Sequence, residues 1–260
     1  MAIFGRTSRA VRKWRNVDEP VALAARDMLE QTLRPQGWAK SVLSGRSEDL
    51  NGPIPWYTYA ARMVLERCVP CGARVLEFGT GGSTRWWADR GCTVVAIEHD
   101  PAWHAQFLAT EAAAGLDIRL RPAEIASADP AAAEQVRKWA GALAPAQAET
   151  QLKTAGPSEA LDEMLAYAAE GLSSKAGGFD VVVIDGVARN LCARVALECV
   201  KPGGLVVFDN AERPQYEPGH ALLAAAGLVR VDFWGPGPIN PYPWTTALYA
   251  GSIEALRAKR

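Results

Sequence analysis

Long apolar runs, cysteine and net charge are all scarce in this sequence. No apolar run approaches the roughly 18 residues that cross a bilayer, so we expect no membrane span. The 260 residues contain five cysteines, too few for a disulfide scaffold. The formal net charge is -1, whereas a protein that mainly binds nucleic acid needs a broad basic surface. These absences exclude a membrane-spanning protein and disfavour a nucleic-acid-binding one.

Apolar residues are abundant, and they indicate a globular protein. They make up 49% of the chain, which excludes disorder and allows one large domain, or one domain with an insertion. Residues 1–17 carry five basic side chains and no acidic one. A mobile basic tail and a targeting segment are both compatible with this composition. We expect a basic tail and N-terminal helices over residues 1–52, the main domain over 53–260, and a cytoplasmic location.

Four short β-branched runs predict the strands of a parallel sheet. They barely alternate between apolar and polar residues, as expected of strands that are buried on both faces. Apolar residues at helical spacing predict helices over 20–43 and 57–68, and a further strand is expected near 118–121. The expected fold class is therefore α/β, a doubly wound Rossmann-like sheet that is mostly parallel. The four runs are 74–78, 93–97, 179–184 and 204–208.

A long segment interrupts this pattern before residue 179. About sixty residues follow the strand near 118–121, which is too many for one structureless loop in a compact domain. We predict a helical insertion at about 126–176. Its first helix is expected to start at Asp129-Pro130, since an aspartate cap followed by proline is a common helix start.

The end of the chain predicts an antiparallel pair of strands. The two strands are expected at 228–234 and 245–249. Only about ten residues separate them, which leaves no room for the crossover helix that a parallel pair requires. The last strand of the sheet is therefore expected to be antiparallel.

The strongest motif lies between the first predicted strand of the sheet and a helix. Its sequence is Val75-Leu-Glu77-Phe-Gly79-Thr80-Gly81-Gly82-Ser83-Thr84. Glycines at the carboxyl end of a strand let the backbone approach a ligand closely, and the helix start offers free N–H groups. Glu98 follows about twenty residues later, where a carboxylate can accept both hydroxyls of an adenosine ribose. The pattern therefore predicts an adenosine-containing ligand.

Two residues of the motif distinguish between adenosine ligands. A dinucleotide site prefers a third small residue at the sixth position of Gly-x-Gly-x-x-Gly, and here that position is Thr84. Glu77 precedes Gly79 by two residues and directs negative charge toward the loop. S-adenosyl-L-methionine carries an ammonium and a sulfonium group, so its charge suits Glu77 better than a pyrophosphate does. A nicotinamide-dependent oxidoreductase is the alternative enzyme class.

Together these motifs resemble class I S-adenosylmethionine-dependent methyltransferases over residues 53–250. Shorter segments, Pro55-Trp-Tyr-Thr58 among them, are similar to a bacterial branch of that family. The resemblance implies methyl transfer to an O or N atom of a small organic molecule. The motifs that carry it are Glu77-x-Gly79-x-Gly81, Glu98, Ile184-Asp185-Gly186, Lys201-Pro-Gly-Gly204 and the antiparallel end of the sheet.

The resemblance also implies a role for each residue of the cofactor site. Glu98 would bind the ribose and His99 would lie beside the adenine. Asp185 would contact the cofactor, and together with Arg189 it is expected to be catalytic. The loop residues expected to bind the cofactor, chiefly its methionine end, are Glu77, Gly79, Thr80, Gly81, Ser83 and Thr84.

A second polar group follows two neighbouring predicted strands. Asp185 ends one strand, and Asp209 and Asn210 end the next. Such oxygen ligands suit Mg²⁺ or another divalent cation. The arrangement resembles the metal site of the catechol and caffeoyl-CoA O-methyltransferases, although their lysine three residues after the first aspartate is replaced by Ala188. Either a metal binds Asp185, Asp209 and Asn210, or Asp185 contacts cofactor or substrate directly.

Tryptophan is unusually frequent, with nine residues against six tyrosines and six phenylalanines. Trp56 and Trp244 border segments that should meet at the carboxyl edge of the sheet, where α/β folds bind ligands. They are expected either to pack in the core or to surround an apolar or aromatic methyl acceptor. Its oxygen would lie near Asp185, and an anionic group would lie near Arg189. The expected substrate residues are Trp56, Tyr57, Asn210 and Trp244.

A binding protein without turnover is the alternative from outside the enzymes. A non-catalytic adenosylmethionine-binding module would keep the same cofactor motif, and only product formation distinguishes the two. The expected partner is a small-molecule methyl acceptor rather than nucleic acid, because no basic-aromatic face is present beyond the N-terminal tail. The expected cofactor is S-adenosyl-L-methionine, with a divalent cation as a second candidate.

Overall fold

The computed structural model describes residues 19–46, 48–49, 52–110, 115–120, 129–142 and 159–258. The predicted basic tail at residues 1–17 lies outside these ranges. Among the helices within them, none combines the length and the hydropathy that a membrane crossing requires.

Short elements precede the main sheet. They are α1 (Glu19–Met28), a π-helical turn (Leu29–Leu33), α2 (Trp38–Ser44), β1 (Glu48–Asp49), β2 (Gly52–Pro53) and α3 (Tyr59–Cys68). The helix predicted over 20–43 is divided at Gly37, whose φ of 87° lies in the left-handed region that glycine adopts readily. α3 begins after Thr58, because the Thr58 hydroxyl accepts a hydrogen bond from Ala61 N and caps the helix.

A seven-stranded sheet contains the remaining strands of the described chain. They are β3 (Arg74–Phe78), β4 (Thr93–Glu98), β5 (Asp117–Leu120), β6 (Phe179–Ile184), β7 (Val200–Asp209), β8 (Val229–Gly235) and β9 (Trp244–Ala250). Their order is β5-β4-β3-β6-β7-β9-β8. The first five strands of this order are parallel, and β9 is antiparallel to both β7 and β8. The predicted Rossmann-like class and its antiparallel end are confirmed.

Helices cover both faces of the sheet and bury its strands on both sides. They are α4 (Gly82–Asp89), α5 (Pro101–Leu108), α6 (Pro130–Ala142), α7 (Glu159–Ser173), α8 (Arg189–Cys199) and α9 (Glu217–Ala225). One core packs Val182 against α6, α7 and α8, and the other packs Val183 with α3 and α4. Because these adjacent residues of β6 face opposite cores, the strand sequences are apolar throughout instead of alternating.

The predicted insertion contains the two expected helices, α6 and α7. The Asp129 carboxylate accepts a hydrogen bond from the backbone N–H two residues later, as expected of a helix cap. Val136 of α6 and Leu165 of α7 are both buried in the core beside the sheet. Both helices therefore bury apolar side chains against the sheet.

Candidate functional site

The carboxyl ends of the four central parallel strands bring the predicted site residues together. Gly79 follows β3, Glu98 ends β4, Asp185 follows β6 and Asp209 ends β7. The loop after β3 contacts the end of β4, since Gly79 N donates a hydrogen bond to the carbonyl of Ile97 at 2.9 Å. Ligands of open α/β sheets bind at this edge, where the strand order reverses. The candidate site is therefore built from four short segments that the sheet aligns.

The glycine loop approaches the loop after β6 very closely. Gly79 has a φ of 106°, and a Cβ atom there would lie 3.2 Å from Gly186 N. Both the backbone conformation and the short distance favour glycine at this position. At the other end of the loop, Gly81 N donates to Thr84 Oγ1 at 3.0 Å and fixes the start of α4.

Glu77 is a buried acid near the carboxyl end of β3. The residue is 1% exposed, and neither carboxylate oxygen has a hydrogen-bond partner among the described residues. Burial raises the pKa of Glu77 to about 8, although the nearby Ser83 and Thr84 hydroxyls oppose this shift. The negative charges of Asp185 and Glu98 raise the pKa further. Because an unpaired buried carboxylate is costly, this position is suited to a ligand that brings a positive charge.

Glu98, by contrast, has every carboxylate oxygen engaged. Thr80 donates to Oε2 from its backbone N at 3.1 Å and from its hydroxyl at 2.7 Å. The backbone N atoms of His99 and Asp100 donate to Oε1 at 2.8 and 2.9 Å, and His99 Nδ1 lies 2.9 Å from the same oxygen. Burial alone would raise the pKa of Glu98, but these neighbours lower it to about 2. Glu98 is therefore anionic at the position predicted to bind the ribose.

Arg189 connects the loop after β6 to the end of β7. Its guanidinium is buried and donates to three carbonyl oxygens, those of Gly186 at 2.8 Å, Asp209 at 2.5 Å and Asp185 at 2.6 Å. A fourth hydrogen bond reaches Asp185 Oδ1 at 3.1 Å. These bonds are typical of a residue that positions a loop. The predicted contact between Arg189 and a substrate anion stays a prediction.

Asp185 keeps an accessible carboxylate despite its bond to Arg189. Its side chain is 24% exposed at the carboxyl edge of the sheet. Burial raises the pKa of Asp185, and the Arg189 cation opposes that increase. Of the two aspartates that end β6 and β7, Asp185 is therefore the one that a bound molecule can reach.

Asp209 lies in a buried hydrogen-bonded network. Its Oδ1 accepts hydrogen bonds from Trp244 Nε1 at 3.1 Å and from Thr246 Oγ1 at 2.6 Å. Thr58 N donates in turn to Thr246 Oγ1 at 2.9 Å, which ties the segment before α3 to β9. Burial and the neighbouring charge of Asp185 raise the pKa of Asp209, so its neutral form is favoured.

The predicted metal ligands do not form a donor set that fits a divalent cation. Such a cation prefers ionised carboxylates, whereas Asp209 is biased toward its neutral form. The Arg189 guanidinium bonds both the Asp185 carboxylate and the Asp209 carbonyl, so a positive charge already lies between the two aspartates. Within the described ranges, no group of three or more His, Cys, Asp or Glu side chains could hold a metal. We therefore derive no role for a metal at Asp185, Asp209 and Asn210.

The predicted substrate residues differ in their exposure. Tyr57 is fully buried and accepts a hydrogen bond from Trp87 Nε1 at 3.4 Å, while burial and the carboxylates of the site raise the pKa of its hydroxyl. Trp244 is buried beside Asp209, as described above. Trp56 is 49% exposed, and Asn210 is half-buried with a φ of 51°. The role of these four residues in substrate binding stays a prediction.

Two further aromatic residues of the site are not among the predicted site residues. Trp103 on α5 donates from Nε1 to Thr80 O at 2.9 Å and so holds the glycine loop. Tyr167 on α7 packs against the His99 ring, with ring centroids 5.9 Å apart. Trp103 follows soon after β4, which ends at Glu98, and this position in the sequence is only a weak indication of a role in the site. Tyr167 comes from a distant helix, so no local motif could have found it.

The sheet order and the glycine loop together define the class of fold. The described strands form a mostly parallel Rossmann-like sheet that ends in an antiparallel pair. This is the fold that the resemblance to class I S-adenosylmethionine-dependent methyltransferases implies.

Comparisons with known proteins give similarities at low sequence identity. The sequence matches no protein-family model and no curated protein. It is similar to an O-methyltransferase from Bacillus cereus solved in complex with SAH, with 15% identity, 87% of this chain and 97% of that chain covered, and a TM-score of 0.46. A methyltransferase from Pyrococcus furiosus gives 14% identity, coverages of 86% and 100%, and a TM-score of 0.44. An N-methyltransferase from Bradyrhizobium japonicum gives 12% identity, coverages of 73% and 90%, and a TM-score of 0.39.

Proposed function

We propose that this protein transfers a methyl group from S-adenosyl-L-methionine to an O or N atom of a small organic molecule. The observation that carries the proposal is Glu77, whose buried carboxylate has no hydrogen-bond partner among the described residues. A pyrophosphate would add negative charge beside this acid, whereas the methionine end of the cofactor brings an ammonium group. Glu98 matches the adenosine part of the cofactor, because an anionic carboxylate beside the same loop suits a ribose.

The cofactor site is expected to work mainly by positioning. Methyl transfer from a sulfonium is an in-line displacement, and alignment of the two reactants can supply about 7–11 kcal/mol. Glu77 and the glycine loop would hold the methionine end, while Glu98 and His99 would hold the adenosine. Arg189 would act as a positioning residue, because its four hydrogen bonds fix the loop that carries Asp185.

Asp185 is the residue that we assign to the methyl acceptor. When the acceptor is a hydroxyl, its proton would pass to the Asp185 carboxylate as the new O–CH₃ bond forms and the S–CH₃ bond breaks. The products are the methyl ether, neutral adenosylhomocysteine and protonated Asp185. We expect an apolar or aromatic acceptor, because Tyr57 lies near Asp185 and Trp244 donates a hydrogen bond to the neighbouring Asp209. The cytoplasmic location stays a prediction.

The first experiment measures cofactor binding. At a concentration of 100 times its dissociation constant, adenosylhomocysteine should stabilise the fold by about 2.7 kcal/mol, which a thermal melt detects as a higher Tm. NAD serves as the control ligand. Stabilisation by NAD but not by adenosylhomocysteine or adenosylmethionine would contradict the proposal.

The second experiment asks whether bound cofactor is used. Cofactor with a labelled methyl group should transfer the label to some member of a panel of phenols, carboxylates and amines. Asp185→Asn is the matched variant, and it should reduce transfer by a much larger factor than it reduces cofactor affinity. A wild-type protein that binds adenosylmethionine and labels no acceptor in the panel would favour the non-catalytic binding module.

A further inference from the structure

The hydroxyl of Tyr167 is a buried polar group that the proposed mechanism does not use. The residue is fully buried in α7, and its OH has no hydrogen-bond partner among the described residues. Buried hydroxyls in folded proteins are nearly always bonded, so an exception calls for an explanation. Tyr249 shows the usual case in the same chain, because its OH lies 2.7 Å from His220 Nδ1.

The position of Tyr167 links it to the cofactor edge of the sheet. Its ring packs against Phe78 at the end of β3, with centroids 5.5 Å apart, and against His99 after β4, with centroids 5.9 Å apart. Its hydroxyl faces the loop after β6, since a Cβ atom on Gly186 would lie 2.1 Å from the tyrosine oxygen. Three neighbouring strand ends therefore converge on one side chain of the insertion.

Two glycines make this close packing possible. Gly186 has no side chain where the Tyr167 hydroxyl approaches. On α7 itself, a Cβ at Gly171 would lie 2.3 Å from the Phe78 ring, so any larger residue would push the helix away from β3. The sequence thus brings α7, and with it Tyr167, to the ends of β3 and β6.

We propose that the Tyr167 hydroxyl hydrogen-bonds the nucleobase of the cofactor. The insertion would then supply a contact that distinguishes adenine from other bases. This inference rests on the proposed function. The base is joined directly to the ribose that Glu98 is expected to bind, and Tyr167 contacts His99, the residue next to Glu98. A tyrosine hydroxyl both donates and accepts, which matches the adjacent amino donor and ring-nitrogen acceptor of an adenine edge.

The test compares Tyr167→Phe with the wild-type protein by calorimetric titration of adenosylhomocysteine. Loss of one hydrogen bond should weaken binding about tenfold, which corresponds to about 1.4 kcal/mol. The Tm of the unliganded protein should stay the same or rise, because the substitution removes only a buried hydroxyl that lacks a partner. Tyr249→Phe is the matched control, and it should lower the Tm while leaving the affinity for adenosylhomocysteine unchanged.

A second titration uses the 6-oxo analogue, in which the adenine amino group of adenosylhomocysteine is replaced. Wild type should bind the analogue more weakly than adenosylhomocysteine, and Tyr167→Phe should discriminate less between the two ligands. Equal affinity of Tyr167→Phe and wild type for adenosylhomocysteine would overturn the inference and leave the proposed function intact. Failure of the wild type to bind adenosylhomocysteine at all would instead overturn the proposed function.

Discussion

The ends of β3 and β4 present two glutamates of the same type and similar burial in opposite states. Glu77 and Glu98 are 1% and 3% exposed. The pKa of Glu77 is raised to about 8, whereas that of Glu98 is lowered to about 2. Burial favours the neutral form at both positions. At Glu98 the His99 ring, the backbone N–H groups and Thr80 outweigh burial, whereas at Glu77 the Ser83 and Thr84 hydroxyls do not.

This difference separates two ways of preparing a binding site. At Glu98 the protein supplies the donors in advance, so the carboxylate contributes to stability whether or not a ligand is present. At Glu77 the partner is left to the ligand, so the unliganded protein carries an unfavourable buried acid. In the proposed methyltransferase, Glu98 would hold the ribose of the cofactor. Glu77 would make binding depend on the positive charge of the ligand.

A large effect is expected from Glu98→Ala. A carboxyl group with a pKa of about 2 in the folded protein and about 4.3 in the unfolded chain contributes about 3 kcal/mol at neutral pH. The substitution removes this contribution and leaves the backbone donors of the β4 loop unpaired. Urea denaturation at pH 7 should show the loss, and the Tm increase caused by adenosylhomocysteine should largely disappear. An unchanged Tm increase would place the ribose contact elsewhere.

The second effect is the pH dependence of stability, in which the two glutamates act in opposite directions. The raised pKa of Glu77 means that stability falls as pH rises from about 4.5 to 8, by up to about 1.4 kcal/mol per pH unit. The lowered pKa of Glu98 means that its contribution is present above about pH 4.3 and is lost as pH falls toward 2. Denaturation curves collected between pH 3 and pH 9 would separate the two regions.

Glu77→Gln is the matched control for this pH dependence. It should reduce the slope between pH 5 and pH 8, to which the raised pKa of Asp209 also contributes, raise the stability of the unliganded protein at pH 8, and yet weaken cofactor binding. Calorimetry in two buffers of different ionisation enthalpy should show that the wild type releases a proton on binding near pH 7, and the variant should not. Proton release that is identical in both proteins would assign the linkage to another group.

A smaller effect is expected from Trp103→Phe. The indole donates one hydrogen bond to the carbonyl of Thr80, the residue that also bonds Glu98. Its loss should cost about 1 kcal/mol and loosen the glycine loop, so the affinity for adenosylhomocysteine should fall about fivefold. Trp234→Phe, at an exposed position on β8, is the control and should change neither quantity. Equal behaviour of the two variants would show that the indole bond does not order the loop.

The smallest effect is expected from removal of divalent cations. The raised pKa of Asp209 favours its neutral form, and the Arg189 cation already balances the charge of Asp185. Neither aspartate should therefore need a bound metal. Once an acceptor has been found, methyl transfer in EDTA should differ less than twofold from transfer in Mg²⁺. If EDTA abolished methyl transfer and Mg²⁺ restored it, a metal at Asp185 and Asp209 would be supported after all.

The sequence was sufficient for the fold and for the positions of both glutamates. Apolar runs located the strands, and the parallel arrangement placed Glu77 and Glu98 at one edge. Their opposite protonation states could not be predicted, because they depend on the His99 ring, on the backbone N–H groups after β4 and on Thr80. The role of Arg189 was equally hidden, since its bonding depends on where carbonyl groups of two loops meet. Local patterns specify which strand a residue ends, but not what surrounds it there.

The hydrogen bond from Thr58 N to Thr246 Oγ1 has a consequence for the order in which the site forms during synthesis. β9 pairs with both β7 and β8, and it brings Thr246 and Trp244 to Asp209. A growing chain that has completed β7 already contains every residue of the glycine loop and of the Glu98 pocket. It lacks Trp244 and Thr246, which bond Asp209, until β9 has left the ribosome. The glycine loop and the surroundings of Glu98 can therefore be assembled before the hydrogen-bonded network of Asp209 is complete.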